Sequence, residues 1–279
     1  MSYKTILAVL QGKTDCERVL DCALPLAVRY SAHLIGVHAE AIPVPYVTPM
    51  GFPDTDFITT SVGINQERSD QLKAMFEQRA SREGVAHEWH AMENVSGDSA
   101  VSALATARAC DLIVIQQSNP DAASGAMADV EALLFDSGRP VLLVPYAVSV
   151  NRAFKKVLIA WNGTAQAARA TFDALSFIKD AEETEILTLD ARDTGMQDRA
   201  LAGVDIATTL ARHGARVTYA GQSTDGLSAG EAIENRIAET GAELLVMGAY
   251  SQSWLKEFFF GGATRTLLQS MPTATLMSR

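Results

Sequence analysis

At 279 residues the chain exceeds the usual size of one domain, so two units of about 140 residues are expected. A composition of 48% hydrophobic and 20% charged residues excludes a disordered chain or a disulfide scaffold, and the formal net charge of −10 opposes attraction to nucleic acid or anionic lipid. Cys16, Cys22 and Cys110 fit no metal spacing and read as buried thiols, and the start of the chain passes into a strand pattern with no long apolar stretch. The expectation is a cytoplasmic protein with neither signal peptide nor membrane span.

Residues 4–12, KTILAVLQG, read as a first strand ending in a polar residue and glycine. Thr14 with Glu17 three residues later reads as a capping box for a helix over 15–30. HLIGVHA at His33 reads as a second strand. Residues 43–65 hold four of the nine prolines and two glycines, which is loop chemistry suited to a lid or contact arm rather than a regular element. A helix over 65–82 closes at Gly84, where positive φ is favoured. A third strand over 86–92, a helix over 99–108, a fourth strand over 110–117 (CDLIVIQQ) and a fifth in RPVLLVPY from Arg139 complete this half.

The order then repeats. Residues 155–163, KKVLIAWNG, restate the first strand 151 positions on, and residues 242–249, AELLVMGA, restate the fourth 132 positions on. Pro140 and Pro272 keep the offset of 132, so the first copy holds 19 more residues between its first and fourth strands, placed at about 43–65. Between them lie helices over 165–179 and 198–213, the latter closed by Gly214, a second strand in EILTLDA, a third over 216–220 and a helix over 230–240. Runs such as LIVI and LLVM are apolar on both faces, as parallel strands covered by helices require. The predicted fold class is α/β, two tandem doubly wound parallel five-stranded sheets, with domains over 1–147 and 153–279.

Ligands of such sheets bind beyond the carboxyl ends of the strands, where the strand order reverses. In the second copy Met247 and Gly248 end the fourth strand, Ser251 follows, and Gly261, Gly262, Ala263, Thr264 and Arg265 open a helix. A glycine after a strand admits a ligand to the backbone, and a Gly-Gly helix opening offers amides to phosphate. This frame resembles the universal stress protein family, which carries Gly, two residues, Gly, nine residues, then Gly with Ser or Thr. Here Ser251 replaces the second glycine and Gly262 the final hydroxyl position, with Thr264 two residues on.

The resemblance implies an adenine-nucleotide α-hydrolase-like fold related by a pseudo-two-fold axis, with the fifth strands paired, 141–144 beside 273–277. It also implies that the loop wraps the triphosphate of ATP, with magnesium as an arguable companion, while Asn162, beside Trp161 and Gly163, and Asp190 with Ala191 hold base and ribose. The implied function is a stress-response binding module regulated by conformation or partner choice, an internal pseudo-dimer that is open to homodimerisation. In the first copy Gln116, Asn119, Asp129 and Val130 stand where the second has Gly248, Ser251, Gly261 and Gly262, and Glu131 adds a carboxylate that repels phosphate. No nucleotide is expected there.

Simpler roles stand beside these: Gly248 ends a strand, Gly261 and Gly262 form a turn, Thr264 caps a helix, Trp161 packs, and WLKEFFF at 254–260 seals an interface. Ser96, Gly97, Asp98, Asp225 and Gly226 read as turns and caps. No nucleophile pairs with a base and the five histidines make no metal spacing, so a slow ATP hydrolase, with Asp190 its one nominee, and a nucleotide-free interaction protein are the alternatives.

Overall fold

The computed structural model describes residues 2–44, 55–117, 128–150, 153–190, 197–249 and 271–279, without the side chains of 55 and 197–202. The chain packs as two compact units, one of Lys4–Ser137 and the other of Met1–Tyr3 with Gly138–Arg279.

The first unit runs β1 (Thr5–Val9), α1 (Lys13–Tyr30), β2 (His33–Ala41), α2 (Thr55–Arg82), β3 (His87–Asn94), α3 (Ser99–Ala107), β4 (Leu112–Gln116) and α4 (Val130–Asp136). Its strands lie in the order β3-β2-β1-β4, all parallel, with Leu7 opposite Ile35 on one side and Ile113 on the other. Ile6, Leu7, Leu34, Leu112 and Ile113 are buried, so the middle strands are covered on both faces.

The second unit runs β5 (Val141–Val144), β6 (Lys156–Ala160), α5 (Ala165–Asp173), α6 (Leu175–Asp180), β7 (Glu183–Leu189), α7 (Gln197–Arg212), β8 (Val217–Gln222), α8 (Ala229–Thr240), β9 (Leu244–Gly248) and β10 (Ala274–Ser278). The order is β5-β10-β9-β6-β7-β8, parallel except for β5, which pairs antiparallel with β10 through Leu142 opposite Leu276. The pairing of the two fifth strands thus matches the expectation. The repeat extends to side chains. Asp111 before β4 accepts Lys4 N at 2.7 Å, and Glu243 before β9 accepts Lys155 N at 2.5 Å.

Three local expectations are corrected. Residues 55–65 are helical, not loop: the four prolines of the insertion end at Pro53, and the inward face Ile58, Ser61, Asn65, Ser69, Leu72, Phe76, Ala80 keeps helical spacing from there on. The remainder of the insertion, 45–54, lies outside the described residues. Helix α1 (Lys13–Tyr30) is capped at Gly12 rather than Thr14, because the Asp15 carboxylate accepts Gln11 N at 2.6 Å and Gly12 N at 2.5 Å. The helix expected over 165–179 breaks at Ala174 into α5 and α6. Gly84 and Gly214 do take positive φ, +68° and +86°.

All three cysteines are buried, and burial pushes the Cys16 and Cys22 thiols up to about 12. Among the described residues no helix is long and apolar enough to cross a membrane.

Gly36 in β2 lies under an aromatic pair. A Cβ there would come 2.8 Å from Trp89 Cε3 and 2.9 Å from Phe76 Cε2. The Gly36→Ala substitution is therefore expected to cost about 1–3 kcal/mol, read from the denaturant midpoint of the first unit's transition; an unchanged midpoint contradicts this packing.

Candidate functional site

The carboxyl ends of β6, β7 and β9 meet the first turn of α8 in the second unit. After β6, Trp161 N donates to Leu187 O at 2.9 Å and keeps the strand ends in register. The Asn162 Oδ1 atom accepts from Thr164 N at 3.3 Å and from Thr164 Oγ1 at 2.8 Å. A backbone N–H only donates, so the oxygen must face Thr164 and the amide donors point elsewhere. Thr164 in turn caps α5 by accepting Ala167 N, and Gly163 between them takes φ +73°.

After β7, Asp190 adopts a left-handed φ of +49°. Its N–H donates to Gln222 O at 2.9 Å, and its carboxylate accepts Thr224 N at 2.9 Å and Thr224 Oγ1 at 2.7 Å. These bonds, the backbone one foremost, hold the carboxyl below the usual aspartate range. Asp190 is thus an ionised tie between two loops and a weak candidate for a general base.

Helix α8 is placed by two devices. Ser228 and Glu231 form a capping box at its start, and Arg236 reaches Glu185 of β7 with two bonds of 2.7 and 2.6 Å, which raises the guanidinium's pKa. On β9, an added Cβ at Gly248 would stand 2.6 Å from Ala167 N and Gln166 C. The close approach of α5 by itself requires glycine at this position, the structural role set beside ligand access in the sequence.

These elements enclose a pocket of about 330 Å³. Trp161, Asn162, Asp190, Met247 and Gly248, all singled out in the sequence, line it together with Ala160, Leu187, Leu189, Ala229 and Ile233. Trp161 is 9% exposed and its buried Nε1 has no acceptor among the described residues. Gly163 sits in the turn beside the pocket rather than in its lining. Ala191, Ser251, Gly261, Gly262, Ala263 and Thr264 lie outside the described residues, as do 254–260 and Asn119. The sequence reading passed over Leu187, Leu189, Ala229 and Ile233; the alternation of EILTLDA and the start of the helix near 230 were the signals available.

A cavity of about 610 Å³ at the amino ends of β6 to β8 is lined by charged residues that include Lys156, paired with Glu183 at 3.7 Å, and Glu182, paired with the adjacent Lys155 at 2.8 Å.

The corresponding strand ends of the first unit are threaded by side-chain bonds. His38 places Nδ1 2.8 Å from Leu10 O and Nε2 2.9 Å from Glu40 Oε1. Arg68 of α2 binds Glu40 through both Nε and Nη2 and holds that carboxyl below its ordinary range against the opposing effect of burial. Asn65 Nδ2 donates to Ala41 O at 2.8 Å, so α2 is tied across the end of β2. Asp129 is the N-cap of α4 and accepts Ala132 N at 3.1 Å, while Val130 is buried and Gln116 ends β4.

Two outcomes follow from this geometry. Gly248→Ala should destabilise the second unit by about 1–3 kcal/mol or more, since the clash is with backbone, and a denaturant midpoint equal to wild type would contradict it. Asp190 has a folded pKa below its unfolded value, so its tie to Thr224 stabilises above the ordinary aspartate range and is lost as pH falls through the lowered value. The stability difference between wild type and Asp190→Ala should therefore hold from pH 7 to about pH 5 and shrink below about pH 4; a difference constant to pH 2 would contradict the tie.

Residues 2–134 match the sequence model described as the Universal stress protein family. No curated protein matches the chain. Among solved structures, a universal stress protein from Archaeoglobus fulgidus DSM 4304 is 16% identical over 100% of this chain and 97% of its own, with a TM-score of 0.64. A candidate universal stress protein from Pseudomonas aeruginosa UCBPP-PA14 is 16% identical over 99% and 93%, with a TM-score of 0.57. A protein of unknown function from Pseudomonas aeruginosa PAO1 is 16% identical over 99% and 92%, with a TM-score of 0.56. At such identity these likenesses speak for the fold, and they extend it through both copies. Residues 2–134 thus carry a domain of the universal stress protein family, and the fold runs on through the second copy.

Proposed function

We propose that the chain is a stress-response binding module whose second copy takes ATP or a related adenine nucleotide, and that it acts by conformation and protein contact rather than by turnover. The observation that carries the reading is the pocket at the carboxyl ends of β6, β7 and β9, where the two flanking strands β7 and β10 leave the sheet's central pair in opposite directions. Such a switch point is where open parallel sheets bind nucleotides, and about 300 Å³ is the lower bound for small-molecule pockets.

The lining suits an aromatic base. Trp161, Leu187, Leu189, Ile233 and Met247 supply apolar surface, while the buried indole N–H of Trp161 and the amide donors of Asn162 supply polar groups that need acceptors. Asp190, ionised and 2.7 Å from the Thr224 hydroxyl, suits neighbouring sugar hydroxyls better than phosphate. A magnesium ion, where one accompanies the triphosphate, would offset charge at the phosphates. The first copy supports the assignment to the second, because its strand ends are crossed by Gln11, Ser99 and the Arg68–Glu40 pair.

The test is a calorimetric titration of ATP into the full chain, beside mass spectrometry of small molecules released on denaturation. One site per chain is expected, weakened about tenfold or more by Gly261→Asp, which sets a carboxylate in the glycine loop. A folded chain that releases no nucleotide and binds none at millimolar ATP would overturn the proposal.

A further inference from the structure

The two copies differ most informatively where the first strand's end faces the helix that precedes the fourth strand. In the first copy the chain fills this gap itself. The Gln11 Oε1 atom accepts Ser99 N at 2.9 Å, and Gln11 Nε2 donates to Gly97 O at 2.6 Å. Ser99, fully buried, donates through Oγ to Leu10 O at 2.9 Å and accepts Ala39 N at 2.9 Å. One carboxamide and one hydroxyl thus satisfy a helix-end amide, a loop carbonyl and two strand-end groups.

The alignment of the copies is set by matching bonds. Leu10 N donates to Val37 O, and Trp161 N donates to Leu187 O, both at 2.9 Å. Gln11 therefore corresponds to Asn162 and Ala39 to Leu189, while Ser99 and Ala229 are each the first residue of the helix that precedes β4 and β9, α3 and α8. Asn162 is shorter by one methylene and has its oxygen engaged by Thr164. Ala229 has no hydroxyl. Trp161, Leu189 and Ala229, the counterparts of the groups that Gln11 and Ser99 satisfy, line the pocket. A separate sign points the same way: Trp161 is 9% exposed and its indole N–H has no acceptor among the described residues.

We propose that Gln11 and Ser99 are built-in occupants of the first copy's cleft, and that Asn162 and Ala229 leave the same subsite of the second copy to a ligand bearing an amide-like edge. Such an edge sets a hydrogen-bond acceptor beside a donor, as the N1 nitrogen and 6-amino group of adenine do. The acceptor meets the Ala229 N–H at the start of α8, and the donor meets a backbone carbonyl of the kind that Gln11 Nε2 reaches in the first copy. The inference rests on the reading of the second copy as a nucleotide site.

The test restores the first copy's occupants to the second. ATP is titrated calorimetrically into the full-length wild type, Ala229→Ser and the double variant Asn162→Gln/Ala229→Ser, with the thermal transition of each recorded. The single variant is expected to bind about tenfold more weakly and the double about a hundredfold, each added group occupying bonds the ligand would make. In wild type, the same triphosphate without its 6-amino group should bind about tenfold more weakly than ATP. Double-variant binding equal to wild type, or equal affinity for the two triphosphates, overturns the inference while leaving the nucleotide reading intact. Failure of wild type to bind ATP overturns both. Where the double variant loses its thermal transition, Ala229→Ser decides alone by the same criterion.

Discussion

The structure depends on the burial of both faces of its inner strands. Ile6, Leu7, Leu112 and Ile113 in one unit, and Leu158, Ile159, Leu244 and Val246 in the other, are almost wholly removed from water. Parallel strands so covered need helical crossovers, and every crossover returns the chain to the amino end of the sheet. Polar chemistry is then confined to the two ends of the sheet. At the amino ends the charges pair among themselves, Lys155 with Glu182 and Lys156 with Glu183. At the carboxyl ends loops and helix starts present backbone groups that must be satisfied by something.

The two copies meet that requirement differently on one frame. In the first, side chains reach inward: Gln11 and Ser99 bridge strand ends to α3, Asp98 joins the start of α3 to Asp129 N at 2.9 Å, and Arg68 of the lengthened α2 clamps Glu40. In the second, the corresponding side chains turn sideways and serve their own loop or helix start or the neighbouring loop. Asn162 bonds Thr164, Asp190 bonds Thr224, and Ser228 bonds Glu231. Inward satisfaction crosses the strand ends with side chains; sideways satisfaction leaves a pocket. The insertion contributes to the first outcome, since helix α2 starts at Thr55 and carries Asn65 and Arg68 over the end of β2.

Much of the frame was legible in the sequence because it depends on periodicity and repetition. The offsets of 151 and 132 located both copies, and the apolar runs located the inner strands. The helical start of the insertion was not legible, because four prolines dominated the composition of 43–65 while the apolar spacing from Ile58 onward was too sparse to outweigh them. The start of α1 was misplaced by two residues for a similar reason: Thr14 and Glu17 satisfy a pattern, but Asp15 makes the bonds. At the site, residues with evident chemistry were found, Asn162 and Asp190 among them. Pocket-lining residues without polar side chains, such as Leu189 and Ala229, were not.

Gly248 shows why a motif glycine is an ambiguous sign. A glycine at a strand end is required when anything, ligand or helix, comes within about 3 Å of where a Cβ would stand, and sequence cannot tell the two apart. Here the Gln166–Ala167 backbone of α5 occupies that place at 2.6 Å, so packing alone accounts for the residue. Yet the same close packing brings α5, its cap Thr164 and therefore Asn162 to the rim of the pocket. The glycine shapes the site through the helix it admits. Because a substitution there displaces α5 as well as changing the pocket lining, a binding defect at this position is by itself no evidence of contact.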